Sequence, residues 1–383
     1  MELVEHARLL VGLRLMTATG PYRALFCDLR TDRPIDVLPL RDVTIDDYIG
    51  RPGSLSGTLA VPNAELADRV RQIEEGRTAV YLERDGDLWW GGIVWTTTLS
   101  ADEKGGLSLA VQAATFDSYA ARRRIRADLG FQRQDQLEIA RRLWQHIQSA
   151  QGGDIGVGVG TETSGVLRDM AWRDGDETPL DEALKQLADA ENGFEHHISV
   201  HRDVLTGRRV KLLRLGHPRL VSGSPDLVLD RPGPVLRYAF PRDGTRGGTT
   251  ARARGAAANT DQSQESRPAL SREHVAQDLI DGGHPRVDLS SDHSSVTSVP
   301  ALNALAAAQL AEARGSVVIP EVTVRLNDRD LVPPLLLGRA VRLRITDEWH
   351  PDGLDTRFRI IGIKVAPPQR GRPETAELFL EAI

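Results

Sequence analysis

Apolar and polar positions alternate in short bursts through the first third of the chain. "RALFCDLR", "GSLSGTLAVP", "TAVYLERD", "WWGGIVWTTTL" and "LSLAVQAAT" each follow a period of two, the spacing of a strand with one buried face. Turn formers punctuate them at Arg51-Pro52-Gly53, Asp85-Gly86 and Lys104-Gly105-Gly106. From residue 21 to about 115 the pattern predicts short, evenly spaced strands in a sandwich or small barrel.

The period then changes. "QDQLEIARRLWQHIQSA" sets Leu137, Ala140, Leu143, Trp144 and Ile147 on one stripe behind Asp135, which predicts an amphipathic helix. The glycine-rich "QGGDIGVGVGTETSG" follows as a loop or edge hairpin. "TPLDEALKQLADAENG" predicts a second helix, capped by Thr178, with Pro179 in its first turn and Asp181 three residues after the cap. Its stripe is Leu180, Leu184, Leu187 and Ala188, and Gly193 ends it. Strand-like runs resume at "FEHHISVHRD", "RRVKLLRLG", "PDLVLD" and "VLRYAFPRD", so residues 130–200 read as an α/β insert in a mostly β chain.

Between residues 243 and 299 the chain turns small and polar. "NTDQSQESRPALSRE" and "DLSSDHSSVTSVP" predict long exposed loops around one strand at "TTARARGAA". "PALNALAAAQLAEARG" predicts a helix closed by Gly315, and the tail from "VVIPEVTVRLNDRD" to "TAELFLEAI" is again β. The expected fold class is mainly β with an α/β insert (α+β), holding two similar small β-barrel domains, a helical insertion domain and long surface loops. Residues 1–128 with about 199–240 form the first barrel, 129–198 the insertion, 241–299 the loops, and 300–383 a helix with the second barrel.

The two β blocks resemble each other. In the first, Ala79-Val80-Tyr81-Leu82 enters an acidic turn, returns through Gly92-Ile93-Val94 and finishes at Leu107-Ser108-Leu109. In the last, Ala340-Val341-Arg342-Leu343 enters "TDEWHPDG", returns through Gly362-Ile363-Lys364 and finishes at Leu378-Phe379-Leu380. Matched order and matched glycine-aliphatic positions predict a duplication. Trp89, Trp90 and Trp95 alternate across one strand beside Gly91 and Gly92, which allow a bulge or close backbone approach. These tryptophans, with Ile93, Phe358 and Ile363, are the expected barrel-core and subunit-interface residues.

Composition narrows the function classes. The net charge of −6 carries no dominant basic face for nucleic acid. The single Cys27 forms no disulfide framework or Cys-rich zinc motif. The N-terminal run carries Glu2, Glu5, Arg8 and Arg14 through its apolar residues, unlike a signal peptide, and no apolar stretch is long enough to span a membrane. Lysines number 4 and arginines 44, scattered rather than clustered.

Candidate chemistry is sparse. His196, His197 and His201 sit in a strand where neighbours face opposite sides, which favours a surface or interface strand over a metal site. Gly156, Gly158 and Gly160 alternate with no GK[ST] after them, unlike a phosphate loop. "DEWHPDGLD" lacks EF-hand spacing and reads as a solvated hairpin tip, and no G-x-S-x-G elbow is present. No catalytic, metal or cofactor residue is nominated and no cofactor is expected; the chain reads as a non-enzyme. A cell-wall hydrolase, or a receptor or glycan binder using Trp89, Trp90 and Trp95, is the alternative.

Two motifs carry a family resemblance. Asp85-Gly86 leads to Trp90-Gly91-Gly92-Ile93-Val94, and Ala114-Thr115-Phe116-Asp117 leads to Arg122-Arg123-Arg124. With the closing strand "RFRIIGIKV", this resembles the central hub protein of phage tail tips and baseplates, a family shared with contractile injection systems. The resemblance implies a virion protein at the tail tip, made in the bacterial host's cytoplasm and assembled as a homotrimer. Two barrels per chain would then offer six near-equivalent units to a hexameric tail tube and three-fold symmetry below. The implied partners are its own copies, the tail tube or distal tail ring, the tape-measure protein and a spike or central fibre. DNA would pass only in transit, and no stable membrane insertion is implied.

Overall fold

Period two folds as expected into a run of strands: β1 (Arg23–Asp28), β2 (Pro34–Leu38), β3 (Arg41–Tyr48), β4 (Ser54–Val61), β5 (Thr78–Arg84), β6 (Asp87–Ala101) and β7 (Leu107–Thr115). The structure is a computed structural model and describes residues 22–84, 86–190, 192–257, 267–293, 296, 298–314, 317–318, 320–326, 336–366, 368 and 373–383. The N-terminal run, Asp85, the helix stop at Gly315 and most of "NTDQSQESRP" lie outside the described residues. In β7 alternation buries Leu109, Val111 and Ala113 on one face. Asp102 holds the β6–β7 turn, its Oδ1 accepting the Lys104 and Gly106 N–H groups at 2.9 and 2.7 Å.

The terminal strands repeat this arrangement. Ala340–Ile345, Leu354–Ala366 and Thr375–Ala382 form an antiparallel meander, as β5, β6 and β7 do. Glu321–Arg325 pairs antiparallel with Thr375–Ala382, as β4 pairs with β7. Val235–Ala239 stands in the place of β3, and Leu227–Arg231 in the place of β1. One direction differs: β1 is antiparallel to β5, whereas Leu227–Arg231 is parallel to Ala340–Ile345.

The ladders also share an irregularity. β6 slips against β7 between Val94 and Thr96, leaving Trp95 as the extra residue. Leu354–Ala366 slips against Thr375–Ala382 between Ile360 and Gly362, leaving Ile361 extra. In each block a left-handed glycine donates its N–H to the carbonyl just before the slip. Gly76 (φ 72°) reaches Val94 at 2.7 Å, and Gly338 (φ 82°) reaches Ile360 at 2.8 Å. A bulge with its own glycine clasp is a specific backbone device, and two unrelated meanders have no reason to share it. The sequence match set Gly92 against Gly362. The ladders set Thr96 there instead, because the bulge, not the glycine, is the common landmark.

The blocks meet strand to strand. Residues 362–365 pair antiparallel with residues 45–48 of β3, Gly362 facing Tyr48 and Val365 facing Ile45. The Ile49 N–H bonds the bulged Ile361 carbonyl at 3.0 Å. A Cβ on Gly362 would stand 2.4 Å from Tyr48 Cδ1, so glycine is required at this joint. The result is one 13-stranded sheet. Among the described residues no pairing closes either block on itself, so the expected barrels are present as repeated blocks of a continuous, open sheet.

The α/β insert packs on the same core. Helix Gln136–Ser149 starts at Asp135, whose Oδ1 accepts the Leu137 N–H at 2.9 Å, and buries the whole expected stripe. Helix Leu180–Ala188 buries Leu180, Ala183, Leu184 and Leu187 and stops before Gly193. The glycine-rich run supplies Val157–Val159, an edge strand parallel to Arg209–Gly216 rather than a hairpin. Leu143, Trp144, Leu184 and Ile198 share one hydrophobic cluster with Tyr81, Ile93 and Phe116.

By compactness the chain divides into two units, one of Met1–Ala188, Phe194–Tyr238 and Glu321–Ile383, the other of Asp189–Gly193 and Ala239–Pro320. The second unit corrects the expectation of long loops. Thr250–Ala257, the strand expected there, pairs with Pro268–Leu270, His274–Val275 and Asp288–His293 in a 4-stranded sheet. Helix Val299–Glu312 buries Leu302, Ala306 and Leu310 against Ala251, Ala253 and Ala276. Alanines let helix and strand approach closely, so this core forms with few large side chains and leaves little hydrophobic periodicity to read.

Candidate functional site

Of the nominated residues, Trp89, Trp90 and Ile363 come together where the two blocks join, and Ile93, Phe358 and Trp95 lie elsewhere. Trp90 donates its Nε1–H to the Asp46 carbonyl of β3 at 2.9 Å. Trp89 and Trp90 line a narrow cleft with Ile45, Asp46, Asp47, Ile363 and Val365. Trp89 meets Tyr22 edge-on at 5.5 Å and lies 5.0 Å below the Arg84 guanidinium. Arg84 pairs with the buried Glu374, which also accepts the Tyr22 hydroxyl. Ile93 is fully buried in the main core, and Phe358 is buried opposite Val341. Trp95, displaced by the bulge, is half-buried; its Nε1 donates to Ser118 Oγ at 2.8 Å, and Arg122 sits 5.4 Å from its ring. Trp89 and Trp90 are buried, so neither offers a ring face to a sugar.

The two glycines beside them serve close approach. A Cβ on Gly92 would stand 2.1 Å from the Ala114 carbonyl oxygen, and one on Gly91 would stand 2.8 Å from the Tyr81 ring. The bulge lies beyond them, at Trp95.

Polar clamps tie the insert to the blocks. His197 is buried, contrary to the expected surface or interface strand, because its segment packs across β3 and the turn after β7. Its Nε2 lies 3.0 Å from Asp47 Oδ2. Asp117 Oδ1 accepts the Ile198 N–H at 3.1 Å, which gives the last residue of Ala114-Thr115-Phe116-Asp117 a structural task. Burial pushes the Asp117 carboxyl up to about 6, with His197 opposing and Asp47 reinforcing. Burial lowers His197, but Asp47 and Asp117 outweigh it and hold its pKa above the ordinary histidine value. Among the described residues no group of His, Cys, Asp and Glu is arranged to hold a metal ion.

Arg359 and Lys211 are sites that sequence reasoning missed. The Arg359 side chain is 3% exposed, bridges Glu195 and Glu381, and donates to the Leu220 carbonyl at 2.9 Å. Lys211 donates to the carbonyls of Ile155 at 2.6 Å and Leu29 at 3.1 Å, and burial lowers its pKa to about 8. Arg359 is one arginine among 44, and Lys211, though one of 4 lysines, sits in a strand of alternating charge like any exposed cation, so neither position shows its burial in the sequence.

Hairpin tips expose apolar side chains. Trp349 is 82% exposed on a turn whose Asp347 Oδ1 accepts the Trp349 and His350 N–H groups, each at 3.0 Å. Val204 and Leu205, at 79% and 94%, cap the hairpin between Glu195–Arg202 and Arg209–Gly216. An aromatic within the acidic run "TDEWHPDG" was the available signal for the first.

The fold as a whole is similar to known structures. The tail protein of Neisseria meningitidis MC58 has a TM-score of 0.61 at 16% identity, covering 94% of this chain and 96% of that one. The 43 kDa tail protein of prophage MuSo2 from Shewanella oneidensis gives 0.61 at 13% identity, covering 94% and 98%. Prophage tail protein gp18 of Listeria monocytogenes EGD-e gives 0.53 at 12% identity, covering 93% and 94%. No family model matches the chain. No curated protein matches it in sequence. The chain therefore shares the fold of these tail proteins. At these identities the likeness establishes the fold, and it agrees with the hub-family resemblance carried by the sequence motifs.

Proposed function

We propose that this chain is a non-enzymatic structural protein of a phage or prophage-derived tail, acting as the trimeric hub at the tail tip. The observation that carries this reading is the repeat: the same strand order and the same clasped bulge occur in both blocks. Three copies of a two-block chain supply six similar surfaces to a six-fold tail tube and three-fold symmetry to a spike or fibre. In that assembly each block curves as part of a barrel-like wall around the channel that DNA crosses. The domain plan follows: two hub blocks, an α/β insertion and a small second unit. Trp95 lies at a subunit contact, Trp89, Trp90 and Ile363 stiffen the block joint, and Ile93 and Phe358 fill the cores of the first and second blocks. Tube or distal-ring protein, tape measure and spike are the partners this geometry fits. Mass measurement of the purified chain, with density of the tail tip, tests it: three copies per particle are expected, and one or six would overturn the adapter mechanism.

A further inference from the structure

The end of β3 is gripped from two sides. Asp47 and Tyr48 pair with Ile363 and Gly362 of the second block, and the Ile49 N–H bonds the Ile361 carbonyl at 3.0 Å. The next N–H, that of Gly50, donates to the His196 carbonyl of the insert at 2.9 Å. Asp47 Oδ2 reaches the same strand, 3.0 Å from His197 Nε2. Residues 47–50 thus hold the second block and the insert together, and His197 is the titratable group of the insert at that point.

Charge there balances only with a proton. β3 brings Asp47, the turn after β7 brings Asp117, and Arg209–Gly216 brings Arg214, which stands opposite His197 in the ladder with Glu162 acting on it from beyond. The second block offers the uncharged Ile363 and Val365 on the Asp47 side of its strand, while Lys364 alternates away. His201, on the His197 side of its own strand, is exposed. Arg214 has another task, its Nη2 donating to Ser222 Oγ at 3.0 Å and the Val221 carbonyl at 3.3 Å. A neutral His197 ring therefore leaves a buried carboxylate short of countercharge, and an imidazolium supplies it. Hydrogen bonding points the same way. Among the described residues, His197 Nδ1 and Asp117 Oδ2 are both buried without a hydrogen-bond partner. With Nε2–H given to Asp47, Nδ1 carries a hydrogen only in the imidazolium, and Asp117 Oδ2 is an acceptor.

We infer that His197 is a proton-operated latch: as imidazolium it ties the insert to residues 47–50 and braces the block joint, and as neutral imidazole it lets that end of β3 loosen. The latch works within one chain, whatever assembly the chain enters. Burial opposes the charge, but Asp47 and Asp117 outweigh it and hold the His197 pKa above 6.5. A folded value above the unfolded one makes the bracing complete below pH 6.5, and it is lost as pH rises through the folded value. Asp117, raised by burial to about 6 from 3.8, adds a loss in the same direction between those two values.

Two readings on the full chain test the latch. The C2 proton of His197, assigned by its disappearance in His197→Gln, is expected to titrate above pH 6.5 by NMR, and Asp117→Asn is expected to lower that midpoint. Amide protection at residues 48–50 and 362–365 is expected to fall about tenfold or more between about pH 6 and about pH 8.5, while β5 and β6 keep theirs. His197→Gln retains a neutral donor for Asp47 and is expected to show the weaker protection at both pH values. A His197 midpoint at or below 6.5 overturns the latch. So does protection at the joint that is insensitive to pH in the parent, or that matches His197→Gln throughout. The parent chain alone decides the matter if His197→Gln fails to fold, and neither result bears on the copy number at the tail tip.

Discussion

Arg359 satisfies two carboxylates and a carbonyl from a nearly dry position. Removing it leaves the partly exposed Glu195 with the Leu220 N–H and Glu381 with Arg219, so Arg359→Ala is expected to cost about 1–3 kcal/mol, read from urea denaturation. Lys211 acts in the other direction. Its folded pKa, about 8, lies below the unfolded value of 10.5, so the unfolded chain binds more protons between those values. Stability measured against Lys211→Met should therefore climb as pH rises from 8 to 10.5 and stay flat below, by roughly 3 kcal/mol in all. A flat difference across that window would show a lysine already charged in the fold. Asp117 was legible at this scale because its motif marks it. Arg359 and Lys211 were not, since a long cation reveals its burial only when its partners have been brought together from distant parts of the chain.

At the scale of elements, helices were the easiest to read. Leu137, Leu143 and Trp144 keep a 3.6 period because one face meets a large-residue core. Helix Val299–Glu312 is apolar nearly all round, and its sheet is built from alanines, so neither announces a partner. Strand order in the two blocks was foreshadowed by their common alternation. Register was not, because period two looks the same after every shift of two residues. The bulge resolves it. Gly362→Ala is expected to lose about 1–3 kcal/mol, since Tyr48 must move. Gly92→Ala should lose more, because the clashing atom is the Ala114 carbonyl and cannot swing away. Thermal melts of the two variants rank the costs, and equal losses would count against backbone crowding as the cause.

For the whole molecule, stability and assembly come apart at Trp349. Its ring buries little in the isolated chain, so Trp349→Ala should stay within about 0.5 kcal/mol of the parent. If the tip docks a neighbour, the same change lowers incorporation into tails; unchanged incorporation would assign the tip no contact. Two-block architecture and the tail-hub likeness were visible in the sequence, whereas the merging of both blocks into one sheet required the long-range pairing of residues 45–48 with 362–365. That pairing makes every second seam of the proposed ring covalently tethered, with no dissociation constant of its own. Dilution or mechanical load can part only the seams between polypeptides. Such a collar would open in thirds, never in sixths.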